Sequence, residues 1–98
     1  MTDVIQLEEA AMDRKIWTAE IVLEETPDRT DAYVTLRTGD AECISEGHAR
    51  RNPHDPNVPR IGEELATARA LHALASDLME EAAGILESRL GHEVRLVQ

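Results

Sequence analysis

The sequence predicts an α+β domain, a three-stranded antiparallel β-meander packed by one long C-terminal α-helix. Three observations predict it. Apolar residues in the first half recur with period two, in runs separated by short turn segments. From Ile61 onward the period lengthens to three or four and holds to Arg89. Between the halves lies ARRNPHDPNVPRIGEEL, residues 49–65, with prolines at 53, 56 and 59 that bar both a central strand and a helix interior.

At 98 residues the chain fits one domain. Residues 1–13 read as a flexible leader and 14–98 as the domain. The first strand is KIWTAEIVLEE, where Trp17, Ala19, Ile21 and Leu23 alternate with Thr18, Glu20, Val22 and Glu24 as in a half-buried strand. TPDRTD supplies a turn through Pro27 and Asp28. The second strand, AYVTLRT, puts Ala32, Val34 and Leu36 on one face, and Gly39-Asp40 marks a tight hairpin. The third, AECISEGHARR, is weaker and has Cys43 and Ile44 as its apolar anchors. Gly47 inside it predicts a bulge or the close approach of another backbone.

The helix follows as an amphipathic element of about seven turns. Its expected buried stripe is Ile61, Leu65, Ala68, Leu71, Ala75, Leu78, Ala82 and Ile85, widened by Leu74, Met79 and Leu86. Pro59, Glu63 and Glu64 suit its first turn, Gly84 is a weak point, and Gly91 is its stop. The tail EVRLVQ has strand character and suits a sheet edge, its own or a partner's.

Composition narrows the function classes. The net charge of −10 argues against generic binding to nucleic acid or anionic membrane. The acid excess is uneven: residues 1–46 carry −8 and residues 73–98 carry −3, whereas residues 47–72 carry +1. With no basic start followed by an apolar core and no long apolar run, a cytoplasmic location is expected. The lone Cys43 fits a reducing compartment and cannot form an intrachain disulfide. With only Trp17 and Tyr33 as aromatics, the core depends on Leu, Ile, Val and Ala, and a homodimer would ease that shortage.

Catalytic and metal signatures are weak. His48, His54, His72 and His92 lack the spacing of a zinc site, so no metal and no cofactor is expected. Cys43 and His48, five apart on a strand, point to opposite faces, which favours a structural thiol over a nucleophile. The pairs Glu24-Glu25, Glu63-Glu64 and Glu80-Glu81 are adjacent, so each diverges into a solvated acidic face. No nucleophile elbow, phosphate loop or dinucleotide fingerprint is present, and an enzyme is not expected. A small-ligand site would need an apolar pocket, of which the sequence gives no sign. The residues left over are Arg50, Arg51, Arg60 and Arg69, candidate binding contacts in the stretch that is not acidic.

The run Gly47, Ala49-Arg50, Asn52-Pro53, Asp55, Asn57-Val58-Pro59, Ile61-Gly62, Glu64-Leu65 and Ala68-Arg69-Ala70-Leu71 resembles a family of small actinobacterial proteins of unknown function. The likeness extends to Trp17 and to Val94-Arg95-Leu96, over about residues 15–97. The family includes conserved mycobacterial proteins of the hypoxia and dormancy response. The resemblance implies a fold like the double-stranded-RNA-binding domain, a homodimer, and a kinship with ribosome hibernation factors. It carries over no catalytic residue. Those RNA-binding domains place lysines at the start of their last helix, where this chain has Glu63-Glu64. The expectation is a non-enzymatic stress or dormancy protein that binds the ribosome or another translation component. The alternative is a dimeric interaction or scaffold module without nucleic-acid contact.

Overall fold

The computed structural model describes residues 12–96, so most of the expected leader lies outside the described residues. Strands β1 (Thr18–Thr26), β2 (Arg29–Arg37) and β3 (Glu42–Arg50) form an antiparallel sheet in the order β1-β2-β3, followed by helix α1 (Pro59–Leu90). The predicted fold class is the one observed. Pro27 and Asp28 alone connect β1 to β2, so the first linker is shorter than the sequence suggested. The second hairpin turns through Gly39-Asp40, closed by the Thr38 N–H donating to Ala41 O at 2.9 Å.

The two registers decide which residues share a face. Thr30, Ala32, Val34 and Leu36 of β2 stand beside Ala49, Gly47, Ser45 and Cys43 of β3, on the side that meets α1. Cys43 and His48 fall on opposite faces, as their spacing predicts. Ile44 is a correction: it lies on the open face and is 65% exposed, because only every second strand residue can meet the helix.

Helix α1 spans 32 residues, about nine turns, with Pro59 at its start and Gly91 as its left-handed C-cap at φ 79°. The Gly91 N–H donates to Glu87 O at 2.7 Å, satisfying one terminal carbonyl. Because the helix begins at Pro59, Glu63 and Glu64 fall in its second turn rather than its first.

The helix meets the sheet through a face that only partly matches the expected stripe: Leu74 and Leu78 lie at the core as expected, whereas Ala66 and Ala70 were not in it. Ala66, Ala70 and Leu74 are buried with Ala32, Val34 and Ala49, while Ile61, Leu65, Leu71 and Ile85 of the expected stripe are 42–60% exposed. Gly47 gives the physical reason. A Cβ there would lie 2.3 Å from both Ala66 O and Ala70 N, so the helix backbone rests directly on β3. At that approach β3 has room only for glycine and α1 presents alanines, while Ile61, Leu65 and Leu71 turn to the flanks. The close-approach reading of Gly47 holds, and the uninterrupted register shows no bulge.

Candidate interaction surface

The proline-rich stretch is held by one side chain. Arg51 donates from Nε to Pro27 O (3.3 Å), from Nη1 to Asp55 O (3.2 Å) and from Nη2 to Asp28 Oδ1 (3.4 Å). Its backbone N–H reaches Asp28 O at 2.8 Å. These bonds tie the loop to the β1–β2 turn. Within the loop, Asn52 accepts the Asp55 N–H at its carbonyl and the His54 N–H at its side chain.

The four candidate arginines do not converge. Arg51 is the staple just described. Arg60 pairs with Glu64 at 2.7 Å, one helical turn away. Arg69 donates to His48 O at 2.7 Å and so ties α1 to β3. Arg50 stands on the open face directly opposite Arg29, and it makes no ion pair or side-chain hydrogen bond among the described residues. Arg50 and Arg51 reach the rim of a cleft that Arg60 and Arg69 do not line.

That cleft was not foreseen. It has a volume of about 470 Å³ and lies between the β1–β2 turn, the proline-rich loop and the first turns of α1, with Glu25, Thr30, Ala49, Val58, Ile61 and Leu65 among its walls. Near it the carboxyls of Glu25 and Glu63 meet. Their mutual hydrogen bond, then burial and like charge, raises the Glu25 pKa above the ordinary carboxylate range. In sequence each belongs to an adjacent pair of glutamates, Glu24-Glu25 and Glu63-Glu64. The contact joins two different pairs across 38 positions of sequence, which no local pattern reveals.

The open face carries a second polar group. Asp31 Oδ1 accepts from Arg29 Nε and from His48 Nδ1, each at 2.7 Å. Those two bonds, the Arg29 bond foremost, hold the Asp31 carboxyl below its ordinary pKa. His48 Nε2 lies 3.2 Å from Glu46 Oε1. Because Nδ1 donates to Asp31, the 3.2 Å approach of Arg29 Nη2 to the same nitrogen is a contact and not a hydrogen bond. Beside this group, desolvation raises the Tyr33 pKa, and the charges of Asp31, Glu24 and Glu46 add to it. The hairpin register alone, Asp31 opposite His48, was the sequence signal that could have found the group.

A further apolar feature is β1. It pairs only with β2, and all nine of its residues are exposed, which corrects the half-buried strand expected. Its helix-side row Ala19, Ile21 and Leu23 continues the core face of β2, yet α1 lies over β2 and β3 and leaves that row uncovered. Residues 93–96 of the tail join no strand; Val94 N–H donates to Glu87 Oε2 at 3.0 Å instead. Among the described residues no helix is long and apolar enough to cross a membrane, and no three metal-binding side chains cluster.

Comparison with known proteins fits the fold and adds no activity. An uncharacterised Mycobacterium bovis protein, Mb1767, is 37% identical over 81 residues, covering 83% of this chain and 86% of its own. The uncharacterised Mycobacterium tuberculosis protein Rv2632c is 41% identical over 59 residues, covering 60% of this chain and 63% of its own. The crystal structure of Rv2632c superimposes with a TM-score of 0.75 at 32% identity, over 82% of this chain and 95% of that one. The Rv2632c-like family model matches residues 15–95, and the chain belongs to the Rv2632c-like family.

Proposed function

We propose that this protein is a non-enzymatic, cytoplasmic interaction module that works as a homodimer, with β1 of one copy pairing with β1 of the other. The observation that carries this reading is the uncovered apolar row Ala19, Ile21 and Leu23 on a free sheet edge. A nine-residue edge strand with open N–H and C=O groups is a template for another strand, and soluble proteins usually cover or blunt one. The arginines favour protein contact over nucleic acid, since three of the four already bond within the chain. Light scattering on the purified chain tests the proposal. A dimer mass at micromolar concentration is expected, falling to the monomer in Ile21→Lys. A monomer mass for the unaltered chain refutes it.

A second reading is a stress- or dormancy-associated role at the ribosome or another translation component, as the family resemblance implies. Arg50 supports it, being exposed, unpaired among the described residues and next to Arg29. Co-sedimentation with ribosomes across a salt series is the test. Phosphate contacts are strongest at low salt, so an absence of association there ends this reading.

A further inference from the structure

We propose that residues 12–17 of one copy form an arm that docks on the loop cleft of the second copy, with Trp17 beside Glu25 and Lys15 at the Glu25 and Glu63 carboxyls. The proposal rests on the β1-paired dimer and specifies its register and what the cleft holds. Its argument begins with an unused segment. Met12, Ile16 and Trp17 are 74%, 72% and 54% exposed, an apolar arm without cover that also carries the basic doublet Arg14-Lys15. The arm leaves β1 at Thr18, about 23 Å of strand away from Glu25 at the cleft. Its own cleft is therefore at the wrong end of the sheet.

A two-fold axis brings a partner's arm to the right end. Three antiparallel registers keep all but the ends of Thr18–Thr26 paired, centred on Ile21, Val22 or Leu23. Centring on Val22 sets Glu20 against Glu24 of the other copy at two places, and like charges directly opposite are destabilising. Centring on Leu23 sets Ile21 against Glu25 and Val22 against Glu24. Centring on Ile21 pairs Ile21 with itself and Ala19 with Leu23, with no like charges opposed. In that register Trp17 stands opposite Glu25 and Lys15 opposite Pro27, and both Glu25 and Pro27 line the cleft. If pairing with the second copy extends β1 through the arm, residues 15 and 17 take the helix-side parity of Ala19 and Ile21, the side on which the cleft lies. An indole then meets an opening with apolar walls, and an ammonium meets two carboxyls that otherwise oppose one another.

The chain supplies its own probes, because Lys15 is its only lysine and Trp17 its only tryptophan. Full-length protein is mixed from nitrogen-14 and nitrogen-15 copies and treated with a zero-length carbodiimide cross-linker. Links from Lys15 to Glu25 or Glu63 are expected in mixed-isotope form, and Trp17 emission should shift to the blue as concentration rises through the dimer transition. Trp17→Ala should weaken the dimer about thirtyfold, as a buried aromatic anchor does. Lys15→Glu should weaken it about fivefold. Both sites are exposed and outside the strands, so neither change should alter the monomer fold. A dimer without mixed-isotope links and with unchanged Trp17 emission overturns this inference and leaves the proposed function standing. A monomer at every concentration overturns both.

Discussion

Replacing Gly47 by alanine should destabilise the fold by about 3 kcal/mol, at the upper end of overpacking costs. The added Cβ would sit 2.3 Å from Ala66 O and Ala70 N, and ordinary contact starts near 3.4 Å. Helix α1 must therefore lift by about 1 Å, and a gap of that size forfeits up to half of the dispersion energy at each separated contact. The atoms in the way are backbone, so no rotamer change relieves the overlap. The core that would open consists of Ala32, Val34, Ala49, Ala66, Ala70 and Leu74, which leaves little reserve. A change of this size lowers Tm by about 12–24 °C in a domain of this length. Urea denaturation followed by circular dichroism measures it. Gly84→Ala is the matched control: nothing lies within 4 Å of its Cβ position, and it should stabilise the helix by about 1 kcal/mol. The sign is decisive, because alanine also reduces the freedom of the unfolded chain and would stabilise an uncrowded site. A Gly47→Ala midpoint at or above that of the unaltered protein would refute the backbone contact.

Two carboxylates give pH dependences of opposite sign. Asp31 has a folded pKa below its unfolded value, so its contribution is present above the ordinary aspartate range and is lost as pH falls through the folded value. Asp31→Asn should therefore be less stable than the unaltered protein at neutral pH, with the gap closing in acid. Glu25 has a raised folded pKa, so its contribution is full below the unfolded value and is lost as pH rises through the folded one. Glu25→Gln should then match the parent in acid and exceed it at neutral pH, read by thermal melts across a pH series. Arg51→Ala releases its side-chain bonds to Pro27, Asp28 and Asp55 and should cost about 1–3 kcal/mol. Faster amide exchange at His54 and Asp55 should accompany that loss, whereas unchanged exchange would mean that the prolines alone hold the loop.

Much of the fold was legible because local chemistry fixed it. The two turns set both hairpin registers, and with them the faces of β2 and β3. Pro59 and Gly91 marked the helix ends through rules that act on single residues. What stayed hidden depended on where α1 lies across the sheet. Periodicity identifies an amphipathic helix but does not say which of two adjacent stripes meets the core. The glycine at position 47 forced the smaller stripe inward, and that choice follows from a contact with residues about twenty positions later. The same placement brought Glu63 to Glu25 and Arg69 to His48 O, and it opened the cleft where the sequence showed none.

The mismatch in the helix stripe also bears on function. A single exposed leucine is unremarkable in a soluble protein, whereas a continuous apolar surface marks a contact. Here the buried positions are chiefly alanine and glycine, while Ile21, Leu23, Ile61, Leu65 and Leu71 stand at the surface. Fully burying one such side chain yields about 1.5–3 kcal/mol, so leaving several of them in water forgoes more than the small alanine core can readily replace. A self-sufficient domain of 98 residues would put its large side chains inside. The period of three and four from Ile61 is thus a true hydrophobic signal that the sheet satisfies only in part, through Leu74 and Leu78. Together with the bare row on β1, it supports the proposed β1-paired dimer.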